Sequence, residues 1–179
     1  DENTLKAAIA FKNAGLGIPI IFAKEKIVKQ RLKEIGYGEN FDIQIVNSTD
    51  KIKRGKYLKY IFKKFHGEKG NLEPDIHELY LRDCERMIRN DRIIWGSCMV
   101  SNGDADAMVT GNSRRYAQSL EKVKKIVKPR SGEIMFGLNM VVNKGKTVFI
   151  GDTSVHEYPS SEQLAEIAIS SARVVRLFG

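Results

Sequence analysis

The sequence contains few cysteines and no long hydrophobic run, and both shortages narrow the class of protein. Only Cys84 and Cys98 occur among 179 residues, too few for a disulfide framework, so a reducing, cytoplasmic location is expected. No apolar stretch approaches the roughly 18 residues that a membrane-spanning helix needs. The opening residues are mixed in charge and show no secretory signal. With 42% apolar and 29% charged residues, the composition is typical of a globular protein.

The common motifs for nucleotide and metal binding are also missing. Neither the G-x-G-x-x-G pattern nor the P-loop pattern occurs. His66 and His77 have no second histidine or cysteine at metal-ligand spacing, so we expect no metal site and no cofactor in this chain. His156 follows Asp152 near a predicted strand end, and the pair either lines a cleft or caps a loop. The two cysteines are most simply buried helix residues.

Positive charge is in excess, and it is concentrated in the first part of the chain. The 30 Lys and Arg residues outnumber 22 Asp and Glu, and 26 of those bases but only 17 of the acids precede residue 131. This excess suits a phosphate-bearing ligand or a polyanion, although solvated helix faces are the simpler origin, because the lysines are scattered through the predicted helices. The arginines between Arg82 and Arg92 alternate with acids, which indicates a salt-bridged helix face. Aromatic residues are not interleaved with them, so we expect neither a nucleic-acid nor a membrane partner.

The first part of the chain alternates helix and strand. A helix through Leu5 and Ile9 ends near Gly15, and residues 18–23 form a short apolar run that is typical of a buried strand. A second helix is predicted over residues 25–35, and an alternating strand over 41–46. Helix and strand in this order predict a β-α-β unit with parallel strands.

The middle of the chain is predicted to be mainly helical. An amphipathic helix ends at His66–Gly67, the polar interval 68–74 is a predicted loop, and a further helix passes through residues 79–88. Asp91 is placed to cap the next helix, and residues 101–104 are typical of a turn.

A strand, a loop and a helix are predicted to meet at residues 106–116. Residues 107–110 form the strand, and the helix that begins at Tyr116 ends at Lys128–Pro129. Free backbone N–H groups and the helix dipole at such a junction favour a phosphate or carboxylate, and nearby arginines strengthen the preference. A plain turn with two solvated arginines is the alternative. The candidate ligand-binding residues are Thr110, Gly111, Asn112, Ser113, Arg114, Arg115 and Tyr116.

The last part of the chain predicts a hinge, a hairpin and a helix. Residues 130–132 are typical of a hinge, and strands at 134–142 and 147–150 flank an Asn-Lys-Gly-Lys turn. Ser160 and Gln163 form a capping-box pattern, which predicts a helix that begins there. Because this helix is predicted to run to the last residues, we expect the sequence to be a segment of a longer protein. The predicted apolar face of that helix consists of Leu164, Ile167, Ala168, Val174 and Val175.

Several stretches resemble the phosphate acetyl/butyryltransferase family, and the resemblance covers essentially the whole chain. They are RDCERMIRNDR at 82–92, GDADAMVTG at 103–111, GDT at 151–153, Pro159, and EQLAEIAI at 162–169. The last run is specific to the superfamily. The first favours the phosphotransacetylase-like carboxyl-terminal half of large bacterial NADP-dependent malic enzymes.

The resemblance implies an α/β fold of three α/β/α layers with a mostly parallel sheet, in two lobes similar to isocitrate dehydrogenases. The family binds a coenzyme A thioester between the lobes. Residues 1–131 would form the first lobe, and residues 132–179 would begin the second, whose remainder lies outside this sequence.

The sequence departs from the transacetylase pattern at the candidate site. Where that pattern has Ser, Ala and His, this chain has Thr110, Asn112 and Arg114, and an arginine that helps to hold acetyl phosphate is replaced by Glu121. A carboxylate opposes phosphate binding. The catalytic Ser and Asp pair of the family lies beyond residue 179, so we expect no catalytic residue here.

The expected function is therefore regulatory. By this resemblance, the chain binds acetyl-CoA or a related acyl-CoA, contacts an amino-terminal malic-enzyme domain of the same chain, and assembles into a homo-oligomer. The parent enzyme would use NADP with Mg²⁺ or Mn²⁺ to convert malate to pyruvate and CO₂. An active phosphotransacylase is the alternative, and a basic nucleic-acid-binding module is a more remote one.

Overall fold

The computed structural model describes residues 2–38, 43–47, 49–67, 73–111 and 114–178. Its internal contacts divide the chain into two units, Asp1–Val127 and Lys128–Gly179. The α/β class predicted from the sequence is confirmed, with helices predominating over two small sheets. The three-layer arrangement, the isocitrate-dehydrogenase-like lobes and the lobe boundaries at 131 and 132 stay predictions.

The first unit begins with the predicted β-α-β arrangement. Helix α1 (Glu2–Asn13) precedes strand β1 (Ile20–Phe22), helix α2 (Glu25–Glu34) and strand β2 (Gln44–Val46). The strands pair in parallel, with Ile21 opposite Ile45. Residues 41 and 42 of the predicted second strand lie outside the described residues. A small core joins the two helices to this sheet through Leu5, Ile9, Val28, Leu32 and Ile43.

Four helices complete the first unit. They are α3 (Lys51–His66), α4 (Pro74–Asn90), α5 (Arg92–Ser101) and α6 (Tyr116–Ile126). Trp95 of α5 is fully buried at their centre, with its ring 5.3 Å from that of Phe22 and 5.2 Å from that of Tyr57. The predicted cap is confirmed, because the Asp91 carboxylate accepts a hydrogen bond from the Ile93 N–H group.

Two predictions around these helices need correction. Pro74, assigned to the loop 68–74, is the first residue of α4. Proline fits this position because an N–H group there would have no hydrogen-bond partner within the helix. Residues 68–72 lie outside the described residues. Residues 107–110 do not form a strand. Neither of the two strand pairs found among the described residues includes them, and Val109 is fully exposed. An apolar run becomes a strand only where a partner completes its hydrogen bonds.

The second unit contains a hairpin and a helix. Strands β3 (Leu138–Asn143) and β4 (Lys146–Gly151) are antiparallel. The predicted turn is confirmed, since Lys144 and Gly145 both have positive φ angles, of 46° and 78°, as a two-residue turn of this kind requires. Helix α7 (Ser161–Val175) starts with the predicted capping box and leads into a 3₁₀ turn, Arg176–Phe178.

Only part of the predicted apolar face of α7 is buried. Ile167 is 4% exposed and packs near Gly151 of β4, whereas Leu164 and Val174 remain 54% and 38% exposed. On the hairpin, Val141, Val148 and Ile150 are also exposed, and strand alternation places all three on one face. Within the described residues, this unit therefore buries little apolar surface.

None of the helices in the described residues combines the length and apolarity needed to cross a bilayer.

Candidate functional site

The candidate ligand-binding residues lie where the chain enters α6. Thr110 and Gly111 end the irregular segment that follows α5, and Arg115 is the amino-terminal cap residue of α6. Tyr116 is the first helical residue, and Arg114 lies just before the cap. The remaining two predicted residues, Asn112 and Ser113, lie outside the described residues.

The described part of this site is open to solvent. Thr110, Arg114 and Arg115 are exposed, and Tyr116 is 56% exposed. A guanidinium group contains no hydrogen-bond acceptor, so the Arg115 side chain makes no capping hydrogen bond to the N–H groups in the first turn of α6. Gly111 has a φ of +130°, which other residues rarely adopt, and apart from its chain neighbours no described residue has an atom within 4 Å of where a Cβ would stand. A ligand could therefore approach the backbone at Gly111.

Asp104 holds the start of the segment that leads to this site. Its carboxylate accepts hydrogen bonds from Lys56 Nζ at 2.7 Å and from the Tyr57 hydroxyl at 2.8 Å. Its backbone N–H donates to the Met99 carbonyl at 2.8 Å. The hydrogen bond from Lys56 lowers the pKa of Asp104, while burial, with the hydrogen bond to Asp104, raises the pKa of Tyr57. The carboxylate therefore stays ionised at neutral pH and ties the segment to α3.

Met108 makes a second anchor in the same segment. Its thioether lies over Gly96 of α5, so closely that a Cβ at Gly96 would collide with the sulfur. The glycine therefore gives room for Met108 to pack against α5. Thr110 follows two residues later, so this contact helps to place the candidate site.

The other end of α6 is held by α3 and α5. The Ile126 carbonyl accepts hydrogen bonds from Lys64 Nζ at 2.6 Å and from the Tyr60 hydroxyl at 3.2 Å, with Ser101 Oγ at 3.5 Å. Ile126 itself is fully buried. A positive charge at a helix carboxyl end interacts favourably with the helix dipole. These contacts hold the carboxyl end of α6 against α3 and α5.

Sequence reasoning missed the residues that position the site. Lys56, Tyr57 and Asp104 are joined across 47 or 48 positions, and Lys64 meets Ile126 across 62. Local spacing carries no signal of such pairs. The one usable hint is that Asp104 falls within the family-like run GDADAMVTG.

Glu121 lies on α6 and is exposed. It is five residues after Tyr116, so at 1.5 Å per residue it stands about 8 Å along the helix from the first residue. Its backbone therefore lies more than one helical turn from the amino end of α6.

For Asp152, the loop-capping alternative is confirmed. Its carboxylate accepts hydrogen bonds from the backbone N–H groups of Gly137, Val155 and His156, and it contacts His156 Nδ1. Burial opposes ionisation of Asp152, but the hydrogen bonds from His156 and the backbone outweigh it and lower the pKa of the carboxyl group. The aspartate thus closes the loop after β4.

The isolated histidines and cysteines have structural surroundings. His66 stacks on Tyr80 with ring centroids 4.0 Å apart, and His77 lies 4.7 Å from Phe62. Cys84 and Cys98 are both buried helix residues, as predicted, and burial raises the pKa of the Cys98 thiol to about 12. The described residues contain no group of three or more His, Cys, Asp or Glu side chains that could hold a metal ion.

The whole chain is similar to one known protein family. All of residues 1–179 match the family described as "Phosphate acetyl/butaryl transferase". The chain belongs to this family. Its resemblance to that family, inferred above from four short runs and a proline, is thereby confirmed.

The similar curated proteins include malic enzymes and phosphate acetyltransferases. The NADP-dependent malic enzyme of Rhizobium meliloti (strain 1021) is 33% identical over 98% of this chain. The phosphate acetyltransferase of Nitratidesulfovibrio vulgaris is 36% identical, but over 52% of the chain. This chain spans 22% of the length of that malic enzyme and 14% of that acetyltransferase.

A solved structure supports the fold. The phosphotransacetylase from Streptococcus pyogenes matches 99% of this chain with a TM-score of 0.80 and 24% identity. This chain covers 51% of that one. The likeness establishes the family fold, and at this identity it carries no argument about activity.

Proposed function

We propose that this phosphate acetyl/butyryltransferase-family chain is a non-catalytic, acyl-CoA-binding regulatory segment of an NADP-dependent malic enzyme. The supporting observation is the likeness to the Rhizobium meliloti malic enzyme, which extends over 98% of this chain but only 22% of the relative. The named phosphate acetyltransferase matches over only half of the chain. Similarity that covers the whole chain favours the malic enzymes.

The parent activity would reside outside residues 1–179. There the protein would bind NADP and Mg²⁺ or Mn²⁺ and convert malate to pyruvate and CO₂. This chain would contribute contacts to that amino-terminal domain and to other copies in a cytoplasmic homo-oligomer. Its own role would be to bind a ligand and pass the effect on, which is a coupling between two sites.

The chemistry of the described site suits a phosphorylated acyl carrier. Coenzyme A carries several phosphate groups, and Arg114 and Arg115 offer two guanidinium groups with the fork geometry that matches phosphate oxygens. Both are exposed beside the amino end of α6, where the helix dipole favours an anion. Thr110 adds a hydroxyl, and Gly111 leaves its backbone accessible. Asn112 and Ser113 complete the proposed set.

Glu121 is the reason for proposing binding without transfer. An exposed carboxylate on the helix that follows the site repels a small, doubly charged acyl phosphate. Water and salt screen this repulsion, so it weakens phosphate binding without preventing a larger ligand from binding through other groups.

Titration of acetyl-CoA into the intact, full-length protein tests the proposal. Malate turnover at subsaturating malate is expected to fall as acetyl-CoA is added, and the double variant Arg114→Gln/Arg115→Gln is expected to require at least about tenfold more acetyl-CoA for the same effect. Lys26→Gln/Lys29→Gln on α2 is the control, because it removes the same charge from exposed positions elsewhere in the unit. Unchanged turnover at saturating acetyl-CoA would contradict the regulatory role.

An active phosphotransacylase is the second candidate, and the relatives named phosphate acetyltransferase favour it. Its test is separate. If intact protein forms acetyl-CoA from acetyl phosphate and coenzyme A, the chain takes part in transfer and the non-catalytic proposal is wrong.

A further inference from the structure

A groove lined by more cations than carboxylates lies beside α6, away from its amino end. It has a volume of about 440 Å³ and runs between the end of α4, the first turn of α5 and the second half of α6. A volume of this size is within the usual range for small-molecule sites. Three cations, one carboxylate, one amide and two apolar side chains line it: Arg86, Lys122, Lys125, Asp91, Asn90, Met87 and Ile94.

The single carboxylate does not neutralise the groove. Asp91 accepts a hydrogen bond from the Ile93 N–H group at 2.9 Å and forms an ion pair with Lys122. Its negative charge is therefore already shared between a helix cap and one lysine. Arg86 forms an ion pair with Asp83, one turn back on α4, at 3.1 Å, but both side chains are more than half exposed, so water screens this pair. No ion pair to Lys125 is found among the described residues.

The floor of the groove is apolar. Ile94 is 3% exposed, and Met87 is partly buried against the same core. Cations at the rim and an apolar floor are complementary to a ligand that carries an anionic group on a short apolar body. An inorganic ion would use the rim alone.

We propose that this groove binds a small organic phosphate, with the phosphate held by Arg86 and Lys125 and the apolar part resting on Ile94 and Met87. It is a second site, separate from the proposed acyl-CoA site. Lys122 is six residues beyond Tyr116, so the groove begins about 9 Å along α6 from its amino end.

Binding of phenyl phosphate to the intact chain tests the proposal, measured by calorimetry at low ionic strength. Phenyl phosphate is expected to bind several-fold more tightly than inorganic phosphate, because burial of the ring on the apolar floor adds to the affinity. Lys125→Gln is expected to weaken phenyl phosphate binding by about five- to tenfold. Lys124→Gln is the matched control, since it removes the same charge from the adjacent position of α6 outside the groove.

The two variants separate a site from general attraction. Equal weakening by Lys124→Gln and Lys125→Gln, or equal affinity for phenyl phosphate and inorganic phosphate, would overturn the proposal. Both lysines are on the surface of α6, so matching thermal unfolding midpoints for the two variants are expected, and a comparison of affinities remains valid.

A third variant separates this groove from the acyl-CoA site. Arg114→Gln is expected to leave unchanged the part of phenyl phosphate binding that Lys125→Gln weakens, and any binding at the start of α6 is measured separately as the part that Arg114→Gln removes. Loss of phenyl phosphate binding in Arg114→Gln, with normal binding in Lys125→Gln, would assign the phosphate to the site at the start of α6 and contradict the groove.

Discussion

At the level of single residues, Asp104 joins two distant parts of the first unit. Its carboxylate binds Lys56 and Tyr57 of α3, while its backbone continues into the segment that carries Thr110 and Gly111. The turn at 101–104 could be predicted from Asn102, Gly103 and Asp104, whereas the partners of the carboxylate could not, because nothing local specifies a lysine 48 positions away.

Asp104→Asn is expected to lower the free energy of unfolding by about 1 kcal/mol at pH 7, since the ion pair with Lys56 is partly exposed. The folded pKa of Asp104 is lower than its unfolded value. Its contribution is therefore complete above the unfolded pKa near 4 and is lost as the pH falls through the folded pKa. Urea unfolding of both proteins across this range should show the difference narrowing in acid.

Asp106→Asn is the control for that experiment, because Asp106 is exposed and two residues further along. It should leave the unfolding free energy nearly unchanged. The decisive pH is 2.5, about one to two units below an ordinary aspartate pKa. If the loss of unfolding free energy in Asp104→Asn is as large at this pH as at neutral pH, ionisation of Asp104 is not its cause.

At the level of helices and strands, local patterns predicted the helices better than the strands. The helix caps at Asp91 and Ser160 depend only on residues two or three positions away, and both were confirmed. The strand at 107–110 was wrong because its formation depends on a partner that the pattern AMVT does not specify. The Lys144–Gly145 turn is the exception, since a hairpin brings its own partner strand.

Helix α6 supplies a second test. Lys64→Met is expected to lower the free energy of unfolding by roughly 1–3 kcal/mol, because the Ile126 carbonyl loses a hydrogen bond from a charged donor. Hydrogen exchange should speed up in the last turn of α6 more than in α2.

Lys59→Met is the matched control on the same helix, since Lys59 is exposed. Lys64→Arg should recover part of the protection, because a guanidinium group can also donate to the carbonyl. Equal loss of stability in the Lys59 and Lys64 variants would show that total charge matters and that the contact with Ile126 does not.

At the level of the whole molecule, the two units differ in how much apolar surface they bury. The first has two cores that include Trp95, Tyr57 and Leu32, whereas Ile167 is the only apolar side chain classed as buried in the described part of the second. Motifs spread along the chain predicted the family correctly. Short sequence motifs are shared among members of a family, even where they do not determine which residues are in contact. The ligand-binding roles of Thr110–Tyr116 depend on a ligand, and they stay a prediction.

The first unit is therefore expected to fold on its own, whereas the second is not. Residues 1–127 expressed alone are expected to unfold cooperatively in urea. Residues 128–179 alone are expected to lack a cooperative transition, because a two-stranded hairpin with one helix has too little core. Circular dichroism during denaturation measures both, and a sigmoidal transition in the shorter piece would contradict this division.

The exposed face formed by Val141, Val148 and Ile150 has a practical consequence. A β-branched ribbon with no further strand beside it in the described residues can recruit strands from other molecules. Concentrated preparations of these 179 residues will then be prone to self-association through the hairpin, and a lysine in place of Val148 should raise their solubility limit.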